Sequence, residues 1–493
     1  MSNVAVYEPP PITSEIDMTV AEKKTARKSV AGSAIGNAIE WFDYGIYGYL
    51  LVYISDLFFT FDDGNAALAR VMALGTFAVS FLVRPLGGFI FGPLGDRFGR
   101  QKVLVLTIIL ISGSTACIGL LPTYASIGFM APVLLIALRA IQGFSAGGEY
   151  AGAAVFMAEH APDNRRGIYG CFLEFGTLVG FSGAAILCTT LTLVVGEDGM
   201  TAGWWRLPFL LTALMGVLAL WMRRHLHDPE AFTEDVEEAV EHPSALKALG
   251  NLLKSYPTQI LKLIGFVTLL NVAFYLVLTY MPSYLSATLG HSTAQANFSL
   301  VLIQLVMIAV IVPFGALSDK IGRRPLLITA SIGFIVLSVP AMMLIQLGTF
   351  WSQLLGIGIL GLFLVMLIST ISATLPALFP TRVRYSGFAI GYNISTALFG
   401  GTAGMFNEML INKTGNVLMP GWYLAIAGVI GLISVLTFRE TAGRSLRGNV
   451  VPGSDDDLRI ARGEELIGTK TGSVPTVGAG TSTNTTIGKD GSS

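Results

Sequence analysis

GPLGDRFGRQK at residues 92–102 and GALSDKIGRRP at residues 315–325 are two copies of one loop, and their recurrence decides the fold. Gly92, Leu94, Asp96, Gly99 and Arg100 correspond to Gly315, Leu317, Asp319, Gly322 and Arg323, and each copy joins two apolar stretches. The glycines permit a tight backbone where Cβ atoms would obstruct helix approach. Asp96 and Asp319 can accept charge-assisted hydrogen bonds, and the bases beside them can bridge elements or fix topology. A purely topogenic role for the bases leaves the repetition of the whole pattern unexplained. A weaker echo joins HAPDNRRG at 160–167 to LFPTRVRYSG at 378–387. Duplication of a helical unit on this scale is a property of secondary transporters.

Around these loops the chain is apolar. It has 493 residues, 53% of them hydrophobic and only 13% charged, with mean hydropathy +0.65. A soluble domain carries about 25% charged residues. The reading is an all-α polytopic membrane protein with twelve transmembrane helices in two six-helix bundles. Spans are expected at 31–58, 68–92, 103–121, 128–158, 167–194 and 204–222, then at 261–287, 296–317, 326–345, 352–378, 385–410 and 420–438. The expected divisions are a cytoplasmic tail over 1–30, a bundle over 31–225, a linker over 226–260, a second bundle over 261–439 and a flexible tail over 440–493. Lys and Arg clusters fall on one side if odd spans run outward, so the positive-inside rule puts both termini in the cytoplasm.

Other classes are excluded by what the sequence lacks. A net charge of −1 with short basic clusters does not recommend nucleic acid. Cys117, Cys171 and Cys188 have neither redox nor ligand spacing, so no metal is expected. There is no phosphate-binding loop to couple ATP, no nucleophile–base cluster to make an enzyme, and no cofactor is expected. A channel would call for a selectivity-filter signature rather than duplicated gating loops.

GNAIEWFDYGIYGYL at 36–50, RPLGGFIFGPLGDRFGRQK at 84–102 and RAIQGFSAGGEYAGAA at 139–154 resemble the metabolite:proton symporters of the major facilitator superfamily. The similarity covers about residues 28–446. LVLTYMPSYLS at 276–286, ATLPALFPTRVRYSG at 373–387 and RETAGRSLRG at 439–448 are most similar to bacterial proline/betaine transporters. That resemblance implies the superfamily's two-bundle fold, a bacterial inner-membrane location, and import of compatible solutes such as proline, glycine betaine or ectoine with protons by alternating access. The alternative is a proton symporter for an organic acid such as citrate, 2-oxoglutarate or shikimate. The expected partners are a small zwitterionic solute, protons and the bilayer; the oligomeric state is left open.

Charges within the spans mark the candidate site, because an isolated acid in hydrocarbon is costly. Glu40 and Asp43 are three residues apart, about 60° apart around a helix, and can face one cavity. They form either a proton or solute-entry site or a buried packing network. Glu149 and Glu174 add two further acids, against Arg84 and Arg139. The resemblance assigns Arg139 to a coupling motif; the alternative is a structural link to an acid such as Asp96. The proton-coupling candidates are therefore Glu40, Asp43, Arg139, Glu149 and Glu174. Asn37, Trp41, Tyr44, Tyr47, Tyr275 and Asn393 are the solute-binding candidates, the aromatic faces being able to attract a cationic nitrogen. Asp96, Arg97, Arg100, Asp319, Arg323 and Arg324 are the gating candidates.

Overall fold

A backbone in hydrocarbon has no water to bond its N–H and C=O groups and closes those bonds within its own helix. The computed structural model describes residues 20–60, 65–98, 100–147, 149–225, 250, 253–446 and 451–454, and its regular structure among them is helical throughout. The expected tails over 1–30 and 440–493 and the linker over 226–260 lie largely outside the described residues.

The first half comprises α1 Val20–Tyr49, α2 Leu51–Phe58, α3 Ala66–Phe98, α4 Arg100–Leu120, α5 Tyr124–Ile127, α6 Met130–Ser145, α7 Glu149–His160, α8 Arg166–Gly199 and α9 Arg206–His225. The second comprises α10 Pro257–Phe274, α11 Met281–Ser283, α12 Thr293–Ile321, α13 Arg323–Gln346, α14 Phe350–Thr374, α15 Arg384–Ser395, α16 Thr402–Thr414 and α17 Met419–Leu436. Wider π turns at Tyr275–Tyr280 and Thr396–Gly400 carry α10 into α11 and α15 towards α16.

Among the described residues, eight helical runs are long and apolar enough to cross a membrane. They start at Ala66, Met130, Asp163, Pro257, Thr293, Arg323, Phe350 and Met419. Shorter apolar helices cover Val105–Leu120 and Arg206–Leu218. The expected spans at 31–58 and 385–410 fall on α1–α2, which carries Glu40 and Asp43, and on α15–α16, which the π turn divides. The outer surfaces are apolar: Leu261, Trp351, Leu355, Ile426 and Ile433 are all exposed, the inverse of a water-soluble surface.

Within the first half α1 packs on α8, α3 on α6, and α4 on α6 and α9; within the second α13 packs on α14 and α17, and α10 on α15 and α17. Across the halves α8 lies against α12 and α14, and α3 against α16. Glycine sets the α3–α6 crossing. A Cβ at Gly143 would overlap the Ser80 carbonyl, and one at Gly147 the Arg84 carbonyl, backbone atoms with no freedom to turn aside. Gly143→Val is expected to destabilise the protein by about 3 kcal/mol or more, since overpacking usually costs 1–3 kcal/mol even where neighbours can yield. Detergent thermal unfolding that matches wild type would contradict this.

Candidate functional site

The acids and bases of the first half meet between α1, α3, α4 and α6. Arg84 Nη2 lies 3.5 Å from Glu40 Oε1, both groups buried. The Arg84 guanidinium also lies over Phe81 at 4.7 Å and Tyr44 at 4.9 Å. Arg139, with no exposed surface, lies 4.2 Å over Tyr47, 5.1 Å over Phe77 and 5.6 Å over Tyr44. Ring faces attract cations at such distances. The rings of Tyr44 and Tyr47, read from sequence as faces for a solute's nitrogen, are therefore already in contact with the chain's own guanidinium groups.

A polar chain runs from Arg139 to Asp43. Arg139 Nη1 donates to Gln142 Oε1 at 2.5 Å, Gln142 Nε2 donates to Thr115 Oγ1 at 2.9 Å, and Thr115 Oγ1 lies 3.3 Å from Asp43 Oδ2. At either end polar atoms are left over: Asp43 Oδ1, and Arg139 Nε and Nη2, are buried without a hydrogen-bond partner. Buried polar atoms are nearly always paired, so the carboxylate end can take a proton or a hydrogen-bond donor and the guanidinium end can donate to a water or another acceptor.

The second cluster lies between the halves. Trp41 of α1, Glu174 of α8, Leu270, Asn271 and Phe274 of α10, Tyr275 just beyond it, Ile368 and Ile371 of α14, and Tyr392 of α15 line a cavity of about 10 Å³, room for one water molecule. Tyr150 donates to Glu174 Oε1 at 2.6 Å and stacks on Tyr392 at 4.6 Å. Glu174 makes no ion pair among the described residues. Asn271 Nδ2 donates to Thr396 Oγ1 at 3.1 Å. Asn37 donates to Leu173 O and Thr177 Oγ1 and accepts from Trp41 Nε1, which fixes the indole at the cavity wall.

Contacts between the halves close both ends of this cavity. At the end bearing the 315–325 loop, Asp319 accepts from Gly167 N at 2.7 Å and Ile168 N at 2.9 Å, capping α8 across the interface. Arg323 lies 3.6 Å from Asp319. Gly322 turns the loop at φ +96°, and a Cβ there would come within 2.5 Å of Glu440 Oε2. Glu440 in turn accepts from the backbone N–H groups of Arg323, Arg324, Thr441 and Ala442, and Arg324 Nη2 donates to Leu436 O. Arg384 pairs with Glu159 at 2.5 Å, and Asn393 Nδ2 donates to Gly147 O at 3.0 Å.

The basic turns of the weaker repeat grip one strap. Arg166 and Arg384 each stand four residues after a proline, Pro162 and Pro380. Each donates through Nε to the carbonyl eight residues back, Ala158 O at 3.0 Å and Pro376 O at 3.2 Å. Their remaining nitrogens then reach the segment after α17: Arg166 Nη1 donates to Arg444 O and Arg384 Nη2 to Leu446 O. The Leu446 side chain is buried between Ala158 of the first half and Ala377 of the second.

At the opposite end Arg70 Nε lies 2.9 Å from Glu408 Oε1, and Tyr280 donates to Glu408 Oε2 at 2.8 Å. Gln304 Nε2 donates to the Tyr49 hydroxyl, and Glu197 Oε1 accepts from Thr293 N at 3.2 Å.

The structure thus brings together Trp41, Glu174 and Tyr275 at one cavity, and Glu40, Asp43, Tyr44, Tyr47 and Arg139 in the neighbouring cluster; Asn393 bonds to Gly147 across the halves. The side chains of Asp96, Arg97, Arg100 and Glu149 lie outside the described residues. Glu408, Arg70, Tyr150, Tyr392 and Glu440 were not singled out from sequence. Glu408 carried a usable signal, an acid in the apolar run AGMFNEMLI, by the same reasoning that marked Glu174.

The chain matches the Major Facilitator Superfamily over residues 33–405 and again over 291–452. The proline/betaine transporter of Escherichia coli (strain K12) is 38% identical over 451 residues, 90% of this chain and 89% of that one. The glycine betaine/proline/ectoine/pipecolic acid transporter OusA of Dickeya dadantii (strain 3937) is 40% identical over 450 residues, 89% of this chain and 88% of its own. Among solved structures, a D-xylose-proton symporter superposes with a TM-score of 0.63 at 18% identity, covering 84% of this chain and 98% of that one. The inward-open xylose transporter XylE of E. coli gives 0.62 at 16% identity, covering 85% and 98%. At such identity these two likenesses speak of fold alone.

Proposed function

This chain belongs to the major facilitator superfamily and, within it, to the proline/betaine transporters, and from that premise we propose that it imports compatible solutes such as proline, glycine betaine or ectoine together with protons, by alternating access and without covalent chemistry. Twelve helices form two six-helix bundles over 31–225 and 261–439 in a bacterial inner membrane. The Asp319 loop and both termini face the cytoplasm, as the distribution of Lys and Arg supports.

The carrying observation is the cavity at Glu174, walled by both halves and closed at each end by contacts between them. In this closed state the cavity holds no more than a water, and the solute binds where parting of the halves widens it. Asp43 carries the proton, its free Oδ1 being the accepting atom and the Thr115–Gln142–Arg139 chain its link to the α6 guanidinium. Arg84 and Arg139 are not among the side chains lining the cavity and lie against rings, which favours a zwitterion over a dicarboxylate.

The test is uptake into proteoliposomes under an imposed pH gradient, with labelled proline, glycine betaine, ectoine, citrate, 2-oxoglutarate and shikimate. The expected result is accumulation of the first three and its loss when a protonophore collapses the gradient. Uptake of organic acids alone would overturn the substrate assignment, and accumulation that survives the protonophore would overturn the coupling.

A further inference from the structure

Resting on the reading that the halves part at alternate ends, we propose that Asn297, with the amide and hydroxyl groups near it, is a solvation site that favours parting at the Glu408 end, its ligand being the water that enters there. Asn297 has no exposed surface, and neither its Oδ1 nor its Nδ2 has a hydrogen-bond partner. Its place on α12 sets the direction it faces. Asn297, Gln304 and Gly315 fall within about 20° of one another around the helix. The other two members of that face meet the first half: Gln304 Nε2 donates to Tyr49, and a Cβ on Gly315 would meet Cys171 Sγ at 2.7 Å. Asn297 therefore faces the seam between α12 and α8, one turn from the Thr293 N–H that donates to Glu197.

Other polar atoms at this end of the interface are also short of partners. Gln304 Oε1, Thr279 Oγ1 and Ser283 Oγ are buried and unbonded. Thr279 stands against α1, since a Cβ on Gly48 would meet its Cγ2 at 2.9 Å, and α11, which carries Ser283, touches α1 as well. Buried polar atoms are nearly always bonded, and leaving them unbonded costs free energy. Closure at this end withholds water from these groups, and parting the halves returns it. Towards the Asp319 end the same side of α12 is different. Ile311 and Gly315 bring no polar side-chain atom, Ser318 is bonded to Gly315 O, and Gly167 and Gly315 let the two backbones pack closely. Wetting that stretch gains α12 no such bonds and loses the Asp319 cap. Only what differs between two states shifts their balance, so the unbonded groups bias the empty carrier towards opening at the Glu408 end. The Arg70–Glu408 pair opposes that opening, and the unbonded groups offset it.

One helix carries a reporter for each end. Cys188 of α8 stands near the Tyr49 and Tyr53 hydroxyls, and Cys171 of the same helix lies at Gly315. The test is maleimide labelling, without solute, of proteins that keep Cys188 alone or Cys171 alone, the other cysteines being replaced by serine. Asn297→Leu keeps the shape but gives water nothing to bond. Cys188 should then label about tenfold more slowly, and Cys171 at least as fast as before. Asn297→Asp also keeps the shape but brings a group that needs water more, so in mildly alkaline buffer Cys188 should label about tenfold faster. A change of packing alone would move both variants the same way. Unchanged Cys188 rates, the same sign in both variants, or Cys171 slowing together with Cys188 in Asn297→Leu would each overturn the proposal. Where one variant does not fold, the sign of the other decides. If wild type accumulates solute and these rates fail, only this proposal falls; if neither wild-type thiol labels at all, alternating access falls and carries this with it.

Discussion

Asp43→Asn abolishes concentrative uptake: accumulation driven by an acid exterior falls by about 100-fold, within the usual range of coupling free energies, while exchange of labelled for unlabelled solute stays within about threefold of wild type. Among the described buried side chains, Asp43 Oδ1 is the carboxylate oxygen without a hydrogen-bond partner, so it is the one with a lone pair to give a proton without breaking a bond. Its other oxygen faces Thr115, and through Gln142 the same chain ends on Arg139. Taking on a proton removes a negative charge beside a buried guanidinium and alters what Arg139 must balance, a change that the rings around it cannot supply. An asparagine keeps the shape and the hydrogen bond but fixes the neutral state. Wild-type uptake should rise as external pH falls, because acid loads the carrier from outside, and the variant's pH profile should be flat. A variant whose uptake still climbs with external acidity would remove Asp43 from the coupling.

The second large effect is expected at the interface itself. Asp319→Ala removes two charge-assisted hydrogen bonds from the first turn of α8, each worth about 1.5–3 kcal/mol where the acceptor is ionised. Among the described residues, Asp319 is the side chain that accepts from Gly167 N and Ile168 N. The equilibrium should shift towards separation of the halves at that end by about tenfold or more. The chain contains its own reporter: Cys171, one turn further along α8, has no exposed surface and packs where a Cβ on Gly315 would touch its sulfur at 2.7 Å. With Cys117 and Cys188 replaced by serine, maleimide should label Cys171 about tenfold faster in the Asp319→Ala protein than in wild type. Equal labelling rates would mean that the cap does not hold this end shut.

The sequence was most legible where physics leaves one solution. Apolar stretches of this length can only be helices in a bilayer, and the 92–102 and 315–325 copies announced duplication before any contact was known. The site was legible by residue type but not by direction. Glu40, Asp43, Trp41, Tyr44 and Tyr47 follow one another on α1, and sequence spacing showed that they could share a sector. Which of them meet a cation of the chain depends on Arg84 and Arg139 arriving from α3 and α6, which no local pattern encodes. An amide in an apolar span needs partners, and Asn37 has them in Leu173, Thr177 and Trp41, which its spacing on α1 does not reveal. Glu440 stood inside a motif used only for its resemblance, and its capping of α13 rests on a fold-back that the string does not show.

That fold-back has an effect on how the molecule moves. Two arginines at equivalent places of a duplicated plan hold the carbonyls of Arg444 and Leu446, yet the chain has a single such segment for both to hold. Any swing that parts α7 and α8 from α15 must pull one hand loose, and it draws Leu446 from its seat between two alanines contributed by opposite sides. The symmetric pair of levers is thereby tied by an asymmetric knot, and the ease of parting the halves at this end is set in part by the ten residues that run from α17 to Leu446.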